Sequence, residues 1–328
     1  MSNYDKKVEE AQSLKQKYVK AYEVDFDEGA KLELQYMALR TEILNEIGAE
    51  EKSIFNPLNL DHIKAEPTEI VCKDFLPLIK GAYNMIAGSG GVGKSTIALR
   101  SALHYLRANP MKRAFLVMGE DDSEEIKMRV DAIGKGFLHM NDYDIAEIKK
   151  RMDFFTVDNS VPMRFLEMNS GTPSLNYGLI KQFSQYIQEQ NIGFVVLDPL
   201  KKFHSCNENS NSEMDMLVRD VFLEVAGKLK VVMLILHHSS KSKESAGSRG
   251  ASTLSDTARI AYKVSKHYLK NKETGELIED ESKLGQVKIS TIKDNKNIFS
   301  KYGFRNTDHG DIQLYPTSFQ VEEIEYEM

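Results

Sequence analysis

Residues Gly88, Ser89, Gly90, Gly91, Val92, Gly93, Lys94, Ser95 and Thr96 fit the pattern G-x-x-x-x-G-K-[ST] without a gap. An apolar run at 82–87 precedes them and reads as a buried strand. A helical pattern at 97–106 follows. Strand, loop and helix in that order give this pattern its meaning. The glycines let the backbone curl into a cradle of N–H donors at a helix N-terminus, where amides and the helix dipole hold a phosphate chain. Lys94 can then reach the β- and γ-phosphates of a nucleotide, and Ser95 can ligate Mg²⁺. ATP and Mg²⁺ are the expected ligands. A chain with this loop needs a mostly parallel sheet beneath it.

The rest of the chain reads accordingly. Continuous apolar strands at 83–87, 114–118, 154–157, 193–197 and 231–236 alternate with helical patterns at 94–107, 123–134, 179–188 and 212–229. Such strands, bounded by helices, belong to a parallel sheet covered on both faces. The segments 258–266, 286–292 and 311–315 alternate apolar and polar residues instead, with Glu273–Glu276 as a hairpin turn. They read as an antiparallel extension of the sheet. The expected fold is α/β, a P-loop core over 65–328 preceded by a helical appendage over 1–64. In the appendage Val8, Ala11, Leu14 and Tyr18 share one helical face, and Leu32, Tyr36, Leu39, Ile43 and Ile47 another, with Gly48 ending the second helix. These faces either pack on the core or dock a subunit or partner.

Composition narrows the function classes. A net charge of −6 excludes a generally basic nucleic-acid-binding surface, so any DNA contact must come from a local patch. Cys72 and Cys206 are the only cysteines and suggest neither a disulfide framework nor a metal site. The first residues lack an apolar signal region, and no run approaches the roughly 18 apolar residues of a membrane span. A cytoplasmic protein without a membrane partner is expected.

P-loop chemistry also needs a carboxylate on the Mg²⁺ side, a group that activates water, and a positive charge for the transition state. Asp198 ends the apolar strand 193–197, where an acid can serve Mg²⁺. Glu120 follows the strand 114–118 and can take the proton of the attacking water; Asp121, Asp122 and Ser123 compete with it as helix-capping residues. His237 and His238 close the strand 231–236, where one of them can sense the γ-phosphate and the other can be an ordinary strand-end residue. The following stretch, 239–252, is small, polar and basic, with Lys241, Lys243 and Arg249. It suits a mobile phosphate-binding loop or a plain solvated one.

Together these blocks resemble the RepA-type plasmid replicative helicases, a hexameric branch of the RecA-like ATPases in the wider AAA-type group. The resemblance covers roughly residues 65–315. It rests on Gly88–Thr96, on Glu120 with Arg129, on Asp198-Pro-Leu-Lys-Lys-Phe203-His204 with Glu208-Asn209, on His237-His238-Ser-Ser-Lys, and on Arg249-Gly-Ala-Ser-Thr-Leu-Ser-Asp256.

The resemblance implies a homo-hexameric ring with ATP between subunits. Lys94, Ser95 and Asp198 would act on phosphate, Mg²⁺ and water, with Glu120 as general base. His238 or His237 would be the phosphate sensor. Arg249 would reach a neighbour's nucleotide, and Arg129 would lie near the bound one. Asn295 stands where DnaB-like relatives carry an arginine, leaving Lys293 or Lys296 to supply that charge.

The expected function is a helicase or translocase on single-stranded DNA in plasmid or mobile-element replication, with Lys241 and Lys243 on the DNA. A replication initiator or primase is a possible partner. The rival readings are a DNA-binding ATPase that regulates replication or recombination without unwinding, and a small-molecule kinase, for which no acceptor pocket or lid is visible.

Overall fold

The computed structural model describes residues 3–22, 25–46, 67–119, 122–155, 162–169, 171–238, 249–270, 277–283, 285–295 and 310–314. The chain divides into two compact units, Met1–Glu66 and Pro67–Met328.

The first unit holds two helices, α1 (Asn3–Tyr22) and α2 (Phe26–Glu46). Asp25 makes the turn between them: its Oδ1 accepts from Asp27 N at 3.0 Å and from Glu28 N at 3.2 Å, which caps α2. Lys7 near the start of α1 meets Glu42 near the end of α2 at 3.3 Å, so the helices run antiparallel. Ala11 is buried between them, and Leu14, Leu32, Tyr36 and Leu39 are half-buried. The side chains of Val8, Tyr18, Ile43 and Ile47, and Gly48, lie outside the described residues.

The second unit opens with two short antiparallel strands, β1 (Ile70–Val71) and β2 (Leu78–Ile79). Then come β3 (Ala82–Gly88), α3 (Lys94–Ala108), β4 (Arg113–Met118), α4 (Ser123–Gly136), α5 (Asp142–Lys149) and β5 (Met152–Phe155). A hairpin of β6 (Leu166–Asn169) and β7 (Thr172–Leu175) leads to α6 (Tyr177–Glu189) and β8 (Ile192–Asp198). After α7 (Asn211–Leu217) and α8 (Glu224–Leu229) the chain enters β9 (Val232–His238), then α9 (Arg249–Thr257) and β10 (Ile260–Ser265). It ends in a hairpin of β11 (Tyr268–Lys270) and β12 (Leu277–Glu279), followed by β13 (Gln286–Asp294) and β14 (Gly310–Gln313).

The main sheet has the order β14-β13-β10-β3-β9-β8-β4-β5. The six strands from β10 to β5 are parallel, and β13 and β14 are antiparallel. Every residue of β3 and β8 is buried, which is why these strands read as mostly apolar runs. Phe194 and Val196 of β8 face the layer of α3 and α4, while Val195 and Leu197 face that of α6, α7 and α8. The core is thus a sheet sandwiched between two helical layers. Asn84 is the polar exception inside β3: its Oδ1 accepts from Ile79 N, and its Nδ2 donates to the carbonyls of Ile79, Ala82 and Met233. Removing that amide would strand buried backbone groups, at about 1–3 kcal/mol.

Two expectations are corrected. The segment 258–266 is not part of the antiparallel extension on its inner side. Its strand β10 pairs parallel with β3 and only its other edge is antiparallel, to β13. It alternates weakly because Ile260, Ala261, Tyr262 and Val264 are buried and Lys263 is exposed. The helical stretch 212–229 is not one α-helix: a π-helical turn, Val218–Leu223, separates α7 from α8. That wider turn buries Val218, Val221 and Phe222, with Phe222 against Tyr83. The hairpin turn 273–276 and the residues 156–157 lie outside the described residues. Among the described residues no helix is long and apolar enough to cross a membrane.

Candidate functional site

The carboxyl ends of β3, β9 and β8 lie side by side, and Lys94, Ser95, Asp198, His237 and His238 stand at or just beyond them. Beyond β3 the chain turns through Gly91 (φ 69°) and Gly93 (φ 87°), left-handed conformations that glycine adopts without a Cβ penalty. Val92 is buried and anchors the loop in the core. Gly93 is the N-cap of α3 and makes no side-chain cap hydrogen bond; the N–H groups at a helix N-terminus are natural donors to an anion.

Lys94 is only 4% exposed. A buried ammonium needs acceptors, and its Nζ donates to the carbonyls of Gly88 (3.1 Å) and Ser89 (2.8 Å). The charge is therefore held inside the arch of the loop. Next to it, Ser95 Oγ donates to Asp198 Oδ2 at 2.5 Å. Asp198 is 3% exposed and ends β8. A hydroxyl and one carboxylate are the protein share of a typical Mg²⁺ site, which leaves the remaining positions to phosphate and water. Cradle, cation and hydroxyl–carboxylate pair fit a nucleotide with Mg²⁺.

The two histidines end β9 differently. His237 is 7% exposed, and burial pushes its imidazole below the usual range; nearby Glu208 opposes that, and His238, Lys94 and His204 add to it. His237 belongs to a cavity of about 280 Å³ with Lys201, Lys202 and Glu208. His204 is buried, with Nε2 3.5 Å from Glu208 Oε1, a contact that holds the Glu208 carboxyl below its ordinary range. His238 is half-buried and borders both this cavity and a larger one over the P-loop. Its Nδ1 lies 3.8 Å from where a Cβ on Gly90 would stand. Of the two, His238 is the one placed against the loop.

Arg129, on α4, lines the P-loop cavity and donates to Glu125 one turn earlier. Asp122 caps α4, its side chain accepting from Glu125 N at 2.8 Å. Glu120 and Asp121 lie outside the described residues; Gly119 N donates to the Asp198 carbonyl at 2.8 Å, which ties the end of β4 to the end of β8. Lys241, Lys243, Lys296 and the side chain of Arg249 also lie outside the described residues; the backbone at 249 begins α9. Lys293 Nζ donates to the carbonyl of Asp256.

The P-loop cavity, about 290 Å³, has a far wall that sequence reasoning missed: Lys266, Glu279, Lys283 and Gln286, with Leu314 beneath. No contiguous signal marks these residues. They come from the ends of separate strands and from a turn.

A family model described as AAA domain matches residues 50–244, more than half of the chain. Over 57 residues the chain is 37% identical to the DNA repair protein RadA of Mycobacterium tuberculosis, in strains CDC 1551 / Oshkosh and ATCC 25618 / H37Rv. That similarity takes in 17% of this chain and 12% of the length of those relatives.

Proposed function

We propose that this chain, which belongs to the AAA domain family and carries a RecA-like P-loop ATPase core, is an ATP-driven helicase or translocase on single-stranded DNA. The observation that carries the reading is the junction of Ser95, Asp198 and buried Lys94 at the carboxyl ends of neighbouring strands. In this reading Lys94 exchanges its carbonyl partners for the β- and γ-phosphates. Ser95 and Asp198 hold Mg²⁺, which when bound neutralises charge developing on the phosphates. Glu120 takes the proton of the attacking water as the bond to the leaving ADP oxygen breaks. His238 senses the terminal phosphate, and His237 supports it from the adjoining cavity. Arg129 contributes charge at the cleft edge.

The finer parts of the proposal rest on the resemblance to RepA-type helicases. Subunits form a hexameric ring in the cytoplasm, Arg249 reaches the neighbour's ATP, and Lys241 and Lys243 track the DNA strand. Residues 1–64 form an appendage to the ATPase domain 65–328, and a replication initiator or primase of a plasmid or mobile element is the partner. The short similarity to RadA, by name a DNA repair protein, supports a DNA-linked role. It also favours a second reading, a DNA-binding ATPase in replication or recombination that does not unwind. The deciding experiment measures ATPase with and without single-stranded DNA, and unwinding of a forked duplex. Stimulation with unwinding is expected. Stimulation without unwinding selects the second reading, and ATPase indifferent to DNA refutes both.

A further inference from the structure

The far wall of the P-loop cavity is unused by the proposed chemistry, yet it is built to a definite geometry. Lys266 Nζ donates to Glu279 Oε2 at 2.9 Å. Asp280 N donates to the His267 carbonyl at 2.9 Å, and Lys283 N to the Asp280 carbonyl at 3.0 Å. Ser282 Oγ donates to Asp280 Oδ1 at 2.6 Å. The wall is also fastened to the P-loop. Leu314 N donates to the Gly285 carbonyl at 2.8 Å. The Leu314 Cδ1 lies 2.5 Å from where a Cβ on Gly93 would stand. The leucine therefore packs directly on the glycine that opens α3.

Sheet order says which part of a nucleotide this wall faces. Ser95 and Asp198 mark the Mg²⁺ and terminal-phosphate end of the site, and Asp198 ends β8, on one side of β3. On the other side of β3 stand β10 and then β13. Lys266 directly follows β10. Because β13 runs antiparallel, its first residue, Gln286, stands at the edge where β10 ends. A nucleotide lying along this strand order, its terminal phosphate beside Asp198, would bring its nucleoside half to Lys266, Glu279 and Gln286.

We infer that this wall binds the nucleoside of a purine nucleotide, with Glu279 accepting from the ribose hydroxyls and Gln286 reading the base. A carboxylate is the natural acceptor for a ribose diol, and Lys266 fixes its orientation. A carboxamide offers a donor and an acceptor together, which matches the adenine edge. The inference rests on the P-loop being a nucleotide site.

Calorimetric titration with Mg²⁺ compares ADP, 2′,3′-dideoxy-ADP and inorganic pyrophosphate on the wild type, Glu279→Ala, Gln286→Ala and Lys94→Ala. Glu279→Ala is expected to weaken ADP about tenfold, the scale of one charge-assisted hydrogen bond, while sparing pyrophosphate and dideoxy-ADP. Gln286→Ala should weaken both nucleosidic ligands and spare pyrophosphate. If both wall variants bind ADP like wild type while Lys94→Ala does not, the nucleotide site stands and the inference falls. Equal loss of pyrophosphate would show a distorted P-loop and overturn it too. If Lys94→Ala leaves ADP binding intact, the P-loop reading itself fails.

Discussion

Ser95 Oγ lies 2.5 Å from Asp198 Oδ2, although the two residues are 103 positions apart in the chain. One lies in the first turn of α3, which follows β3, and the other ends β8, with β9 between these strands. The pair joins the phosphate loop to the acid side of the site.

Breaking this pair should separate binding from metal use. In Asp198→Asn the amide can still accept from Ser95, so the fold should hold. The Mg²⁺-dependent increment in ATP affinity should vanish, and turnover should fall by on the order of 10² or more, as a metal contributes several kcal/mol to such transition states. Binding titrations with Mg²⁺ and with chelator check this; an unchanged Mg²⁺ increment would remove Asp198 from the metal.

Glu120→Gln should bind ATP near normally and lose hydrolysis, because the amide cannot accept the water proton. Asp121→Asn is the control. Single-turnover assays in which the control is dead and Glu120→Gln is active would move the base by one residue.

Arg249 is expected to act on a neighbouring subunit. Arginine supplied to a transferring phosphoryl group is worth on the order of 10³–10⁵ in rate. Arg249→Ala should be inactive alone and regain activity when mixed with Lys94→Ala, since some interfaces then combine an intact loop with an intact arginine. Co-assembly without any recovery would assign Arg249 a role within its own subunit.

With a net charge of −6, DNA phosphates need a local partner. Changing Lys241 and Lys243 to alanine should lower single-strand affinity and flatten the log-affinity against log-salt slope by about 0.7 per lost contact. Basal ATPase should persist. Unchanged affinity and slope would place the DNA elsewhere.

Acid should destabilise the core through His104. Its ring stacks on Phe75 at 5.2 Å, and burial, helped by the Arg100 charge, pushes its pKa from 6.5 to about 4. The unfolded chain therefore takes up the proton first. Stability is full above about 6.5 and declines as pH falls toward 4. Buried His237 acts in the same direction. After allowance for solvent screening the His104 share is on the order of 1 kcal/mol. Urea midpoints at pH 7 and pH 5 should fall less for His104→Phe, which keeps the stack, than for wild type. Equal falls would clear His104.

The P-loop was readable because its function is local: consecutive glycines, a lysine and a serine build the cradle from neighbouring backbone amides. The parallel sheet was readable because β3, β8 and β9 are buried over nearly their whole length and are apolar but for Asn84 and the site residues at their ends. Asp198 was legible as an acid at a strand end, though its bond to Ser95 was not. The π-helical turn at 218–223 was hidden, since apolar spacing alone does not distinguish it from an α-helix.

By itself the sequence determined the phosphate cradle, the alternation of the core strands with their helices, and the set of candidate acids, bases and cations. Tertiary structure decided which of them meet. It put β10 parallel beside β3, set His238 rather than His237 against the loop, and closed the cavity with Lys266, Glu279 and Gln286. The physical reason is range. Backbone conformation and amphipathic period are written within a few consecutive residues, whereas a side-chain wall depends on sheet order and on long-range packing such as Leu314 against Gly93.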